Sequence, residues 1–216
     1  MNSKIKIALK NLNKILPLKE SQDKCSPEIK NLHKIILNSF IESGHILSKV
    51  EMSEYVRDID EAIKILSEKD MVVFSESGMP VGAYPFTMED REHKIKINGF
   101  ELNAMCALDA LAISQMYNMP TKISSLCRIT QAPIYLEQLG ASILNSGALN
   151  ELCVGVAWGA IDKDLSCADS LCTEMIFIKD KETARGWKKS DAEKREIFTL
   201  DEAMEFAGRF FVPLVS

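Results

Sequence analysis

The amino-acid sequence predicts an α+β fold, on three observations. Apolar residues at helical spacing dominate the N-terminal third and return at the end of the chain. Between them lie short alternating or apolar runs bounded by turn residues, which read as strands joined through hairpins. No strand-helix-strand unit repeats, so nothing argues for a parallel sheet wound by crossover helices.

The elements follow in order. Ile5, Ala8, Leu9, Leu12, Ile15 and Leu16 predict a helix over 4–16 that Pro17 stops. Ser26 is placed as the N-cap of a second helix, with Pro27 in its first turn and Ile29, Leu32, Ile35, Ile36 and Phe40 along one face. Gly44 ends it. A third helical stretch is expected around 46–56, and a fourth from Asp58 to Lys69. Residues 71–75 are strand-like, 76–80 turn, and 81–86 return. Helices followed by a hairpin predict a winged-helix-like domain over 1–86, ahead of a catalytic domain over 87–216.

In the second part, His93 to Ile97 alternates as a half-buried strand, Asn98-Gly99 turns, and 100–102 leads into a helix starting near Asn103 that stops before Pro120. Residues 122–128 and 134–137 are expected to pair as strands, and Cys153 to Trp158 forms another. A polar loop holding Cys167 then precedes Leu171 to Ile178, strand-like after Cys172. Helices near 183–189 and from Leu200 close the chain.

Composition narrows the partners. An apolar share of 46% and a charged share of 26% are those of an ordinary globular protein. The net charge is −5, and residues 1–86 balance 12 Lys+Arg against 12 Asp+Glu. The helix of mixed sign at 60–69 is a poor phosphate-binding face, so nucleic acid is not the expected partner and a packing or lid role is preferred. Lysines interrupt the N-terminus, so it does not read as a secretory signal, and no apolar run is long enough to span a membrane. The expected location is cytoplasmic, where Cys25, Cys106, Cys127, Cys153, Cys167 and Cys172 stay reduced.

Familiar motifs are missing: no glycine-rich phosphate loop, no G-x-S-x-G, no H-E-x-x-H. His33, His45 and His93 all precede Cys106, which argues against a Cys-His nucleophile pair. Cys167 and Cys172 lack the spacing of a zinc knuckle. Cys25 falls in a surface turn, whereas Cys127 and Cys153 sit inside strands as buried thiols by default. Cys172 stands at a loop-to-strand junction, where a side chain can face a cleft. The singular stretch is Asn103 to Ile113, apolar on nearly every face, which places Cys106 and Asp109 three apart on one side of a helix. A carboxylate inside such a wall is costly, so Asp109 either holds a transferable proton or caps a nearby loop beside an inert thiol.

The run Cys106-Ala107-Leu108-Asp109, followed by Ile123 to Cys127, Ala132-Pro133-Ile134, Leu171-Cys172 and Thr183 to Trp187, resembles the organomercurial (alkylmercury) lyases. The likeness spans nearly the whole chain. It implies cleavage of a carbon-mercury bond by protonolysis, with Cys106, Asp109 and Cys172 as catalytic residues and as the ligands of mercury. It implies no organic cofactor, with cellular thiols or a mercuric reductase taking the released ion. The chain departs from the family at Met105, where a tryptophan is common, at Thr173-Glu174, where histidines are common, and in carrying Cys153 and Cys167. Whether either extra thiol joins the site stays open, as do another organometallic or organometalloid substrate and a non-catalytic thiol sensor or carrier. A soft metal prefers thiolates, an apolar wall raises the pKa of a carboxylic acid, and a helix N-terminus is expected to give Cys106 thiolate character.

Overall fold

The computed structural model describes residues 2–216. Helix α1 (Ser3–Ile15) starts at Asn2, whose side chain accepts the Lys4 amide, and buries Ile5, Ala8 and Leu12. Pro17 does not open a loop: it sits at the head of a further short helix, α2 (Leu18–Lys24), which the sequence pattern does not predict. Ser26 caps α3 (Pro27–Ser43) by accepting the Ile29 amide, as its spacing predicts. Gly44 ends that helix in the left-handed conformation at φ 77°. A Cβ there would meet the Phe100 ring at 2.5 Å, so the position has two reasons to be glycine.

The helix expected over 46–56 shrinks to one turn, α4 (Lys49–Met52), held by a reciprocal Ser48 and Glu51 capping box. Helix α5 (Ile59–Glu68) begins at its Asp58 cap.

Strands β1 (Val73–Phe74) and β2 (Pro80–Ala83) form the hairpin expected after the helices. The sheet then continues through β3 (Phe86–Thr87) to β5 (Phe100–Ala104), β4 (His93–Ile97), β6 (Pro120–Leu126), β7 (Pro133–Leu139) and β8 (Ser142–Ile143), with every pair antiparallel. Burial alternates strictly along β4 and β7, so one face packs and the other meets water. The tight β4–β5 turn has Asn98 and Gly99 both at positive φ, the geometry that matches strand twist. Asn98 also donates to the Ile41 carbonyl at 2.8 Å, tying this hairpin to the end of α3.

Helix α6 (Ala107–Tyr117) lies against the packed face of this sheet and is buried at nearly every position. A smaller antiparallel sheet of β10 (Met175–Ile178), β9 (Cys153–Ala157) and β11 (Arg195–Thr199) stands on its other side. Helix α7 (Lys181–Lys189) covers β9, with the Trp187 ring where a Cβ at Gly155 would otherwise lie. Helix α8 (Leu200–Phe211) runs from a Thr199 and Glu202 capping box and packs on α6 and α1. These packed elements share one hydrophobic core. The α+β class with antiparallel strands is therefore the observed one; strand β11, like α2 and the two-residue strands β3 and β8, is not revealed by the sequence pattern.

Candidate active site

The site is built where β5 passes into α6 and where the 3-10 turn Leu171–Glu174 enters β10. Helix α6 begins at Ala107, four residues later than the apolar pattern implies, because Asn103 and Ala104 are still paired in the sheet with Thr87 and Phe86. Cys106 is thus not in the first turn but is the N-cap, with extended backbone. Its Sγ accepts the Asp109 amide at 3.4 Å, taking the place a serine oxygen usually fills.

The 3-10 turn carries Cys172 to the same point. The Sγ atoms of Cys106 and Cys172 and a carboxylate oxygen of Asp109 lie within 4.8 Å of one another. Among the described residues these three form the group of His, Cys, Asp and Glu side chains spaced to hold an ion. All are buried, Asp109 fully so. Neither carboxylate oxygen of Asp109 makes a full hydrogen bond; the Cys106 thiol and the Cys106 and Asp109 amides stand near it but only partly oppose the effect of burial, so capping is not what dominates this residue.

Burial sets the proton affinities. Desolvation lifts the Asp109 carboxyl from its ordinary value to about 7, against weaker opposing contacts with Cys106. Desolvation also pushes the Cys106 thiol up to about 12. The sequence-based expectation that the helix N-terminus makes Cys106 a ready thiolate is therefore overturned. One amide at 3.4 Å does not offset the loss of water around a buried sulfur. Cys172 is raised as well, through its contacts with the Cys106 and Cys167 sulfurs and its burial. The resting site is a pair of neutral thiols beside a carboxyl balanced between its two forms at neutral pH.

Two side chains that the sequence did not place here also touch the cluster. Cys106 donates to the Met175 thioether at 3.6 Å, adding a soft sulfur from the first position of β10. Cys167 lies with its Sγ 3.8 Å from that of Cys172. The CxxxxC spacing of these two is visible in the sequence, but it signals nothing until the 3-10 turn folds Cys172 back so that its amide meets the Cys167 carbonyl at 2.9 Å.

The remaining thiols stand elsewhere. Cys153 is at the end of β9 opposite Ile178, and donates to the Glu151 carbonyl. Cys25 is half-buried and donates to the Ser21 carbonyl. Cys127 is buried just past the end of β6, where its backbone pairs with Ala132 and Gln131 across the turn into β7. Burial raises its thiol, but hydrogen bonds from Thr130 and nearby amides outweigh that and leave it below its ordinary value. His93 is a core residue, bonded to Ser125 at 2.8 Å and held neutral by burial.

Fold and site together define an α+β protein with two thiols and a carboxylic acid in one dry cluster, a donor set suited to a soft metal and to moving a proton beside it. The alkylmercury lyase (MerB) family matches residues 86–212, and the chain belongs to that family. Among relatives, the alkylmercury lyase of Staphylococcus epidermidis (strain ATCC 12228 / FDA PCI 1200) is 22% identical over 174 residues, covering 81% of this chain and 78% of its own. That of Bacillus cereus is 26% identical over 131 residues, covering 61% and 58%. The crystal structure of the mercury-bound form of MerB2 superposes with a TM-score of 0.74 at 22% identity, over 92% of this chain and 98% of that one, a likeness of fold.

Proposed function

We propose that this protein cleaves the carbon-mercury bond of organomercurials by protonolysis, with Cys106 and Cys172 as metal ligands and Asp109 as the proton carrier. The observation that carries this reading is the unpartnered, fully buried Asp109 carboxyl within 4.8 Å of two thiols. A soft metal is drawn to sulfur, and sulfur must lose its proton to bind it. A carboxyl whose pKa is raised to about 7 is matched to both halves of that task at neutral pH.

One cysteine displaces the leaving ligand of R-Hg-X, and its proton departs with that ligand. The second thiol approaches the mercury, and coordination acidifies it until Asp109 takes its proton. Asp109 then delivers that proton to the carbon as the carbon-mercury electron pair moves onto carbon. R-H leaves, mercury stays divalent between the Cys106 and Cys172 sulfurs, and Asp109 is again a carboxylate. No electrons are exchanged, so the chemistry asks for no organic cofactor. Leu108 and Ala110, which flank Asp109 on α6, are fully buried, so the carboxyl is carried on an apolar stretch of helix, in keeping with an apolar organic group on the substrate. Cellular thiols, or a mercuric reductase, would remove the ion.

The test is incubation of purified protein with an arylmercurial and excess thiol, with chromatographic detection of the arene. Stoichiometric metal uptake without arene would instead make the protein a thiol-based mercury carrier. Release of hydrocarbon from another organometallic or organometalloid in preference would keep the mechanism and change the substrate.

A further inference from the structure

We infer that Cys167 and Cys172 form a second two-sulfur site for mercuric ion, a station through which the ion passes from the Cys106–Cys172 pair to a thiol outside. The inference rests on the proposed lyase reading for the source of the ion, but its geometry stands independently. Cys167 Sγ is 3.8 Å from Cys172 Sγ, yet Cys167 is not part of the compact group made by Cys106, Asp109 and Cys172. It lies to one side of Cys172, and on that side a cleft of about 380 Å³, lined by Lys14, Asp70, Lys163, Leu165 and Cys167, reaches the sulfur's residue. Neither Cys106 nor Cys172 lines that cleft. Of the three clustered thiol residues, Cys167 is thus the one that lines this cleft, although its side chain is as buried as that of Cys172.

The position is held by a dedicated set of bonds. The Cys167 amide donates to Asp70 Oδ2 at 2.9 Å, and the Ala168 amide donates to the Tyr84 hydroxyl at 2.8 Å. Tyr84 in turn donates to the Asp70 carboxylate, whose oxygens are both at 3.0 Å. The Cys172 amide closes the turn on the Cys167 carbonyl at 2.9 Å. This pins Asp70, itself at φ 49°, and the loop before β10 so that the two thiols face each other. At 3.8 Å the two sulfurs are close enough to act on one ion, which would part them as it enters.

The transfer is a ligand exchange. The Cys167 sulfur bonds to the mercuric ion held by Cys106 and Cys172, the bond from mercury to Cys106 breaks, and the proton lost by Cys167 ends on the Cys106 sulfur. Mercury remains divalent throughout. Two external thiols entering the cleft in turn then take the ion by the same exchange, each bonding to mercury as one protein sulfur leaves and passing its proton to that sulfur, first Cys167 and then Cys172. Cys106 is freed for the next substrate while the ion is still leaving.

The experiment uses mercuric ion itself, one equivalent added to the 216-residue chain, with glutathione as competitor. Cys106→Ser keeps the outer pair, so it should retain the ion and shield both Cys167 and Cys172 from alkylation, as read by mass spectrometry. Cys106→Ser/Cys167→Ser has a single thiol left in the cluster and should give the ion up at a glutathione concentration about 10²-fold lower or less, since a second preplaced ligand multiplies affinity by at least that order. Equal retention by the two variants would overturn the inference, and so would full-rate alkylation of Cys167 in ion-loaded Cys106→Ser. If the double variant does not fold, the alkylation pattern of Cys106→Ser decides alone. Because neither arm measures cleavage, a protein that failed to release hydrocarbon would still show whether this site holds the ion.

Discussion

Cys106 and Asp109 are joined through the backbone: the Asp109 amide donates to the Cys106 sulfur at 3.4 Å, while neither Asp109 carboxylate oxygen makes a full hydrogen bond. The backbone thus fixes the spacing of acid and thiol without engaging the carboxyl, while the Cys106 thiol donates to Met175. A serine in place of Cys106 would keep the cap, so loss of chemistry and loss of fold are separable at this position.

That separation gives the first prediction. Cys106→Ser and Cys172→Ser should each abolish arene release, because a hydroxyl is a poor ligand for a soft metal. Cys106→Ser should keep a thermal midpoint close to that of the parent protein. Cys25→Ser, altering a half-buried thiol bonded only to its own helix, should leave both readouts unchanged. Full turnover by Cys172→Ser would remove that residue from the proposed chemistry and leave Cys167 as the candidate.

A second prediction comes from the raised Asp109 carboxyl and its sign. An acid with pKa about 7 in the folded protein and an ordinary 3.8 when unfolded binds more protons in the folded state between those values. Stability is therefore lost as pH rises through that window, by an amount on the order of a few kcal/mol once pH exceeds 7. His33 and His93, held neutral by burial with values of about 4 and about 3, push the opposite way from pH 4 to 6.5. Comparing wild type with Asp109→Asn cancels the histidines. The asparagine variant should gain relative stability steadily from pH 4.5 to 7.5 in chemical denaturation, and a gap that stays flat with pH would show that the carboxyl is not raised.

What the sequence disclosed of this arrangement was the part carried by local pattern. The cap at Ser26, the Asn98-Gly99 turn, the alternation of β4 and the all-round apolar face of α6 each follow from residues close in the chain. Strand β11 does not, because Arg195 and Glu196 give it no clear alternation and pairing with β9 along its full length is what makes it a strand. Helix α2 was hidden by Pro17, read as a stop when it also begins the next helix. The wrong sign for Cys106 had a similar origin: its place at a helix N-terminus is local, whereas the burial that dominates comes from β10 and the loop before it. The Met175 and Cys167 contacts are likewise products of tertiary folding.

Cys127 supplies a third prediction. It is buried in the turn between β6 and β7, next to Arg128, whose amide bonds to Phe177 of β10, and away from the clustered ligands. Cys127→Ser should cost roughly one to a few kcal/mol through a buried hydroxyl, while the folded fraction still cleaves substrate. Unfolding midpoints and specific activity per folded molecule check this together, and mercuric ion found on Cys127 in the native protein would contradict it.

The last prediction separates an enzyme from a mercury trap. Asp109→Ala leaves Cys106, Cys172 and Met175 in place, so uptake of one mercuric ion per chain should persist. What disappears is the acid beside the departing carbon, and removal of a positioned general acid lowers rates by about 10² to 10⁴. Arene release in a single turnover should fall by that order, with metal stoichiometry intact. A loop-capping aspartate would behave in reverse, losing stability on replacement while the folded protein worked at nearly normal speed, yet the Asp109 carboxyl makes no full hydrogen bond to any amide. Its removal exchanges an unpartnered buried acid for a small gap, so the thermal midpoint at neutral pH should not collapse. Measuring midpoint, metal stoichiometry and arene release on one preparation reads all three terms at once. A stable Asp109→Ala protein that still cleaved at the parent rate would end the assignment of Asp109 as proton donor, because no other carboxyl belongs to the cluster of ligand atoms among the described residues.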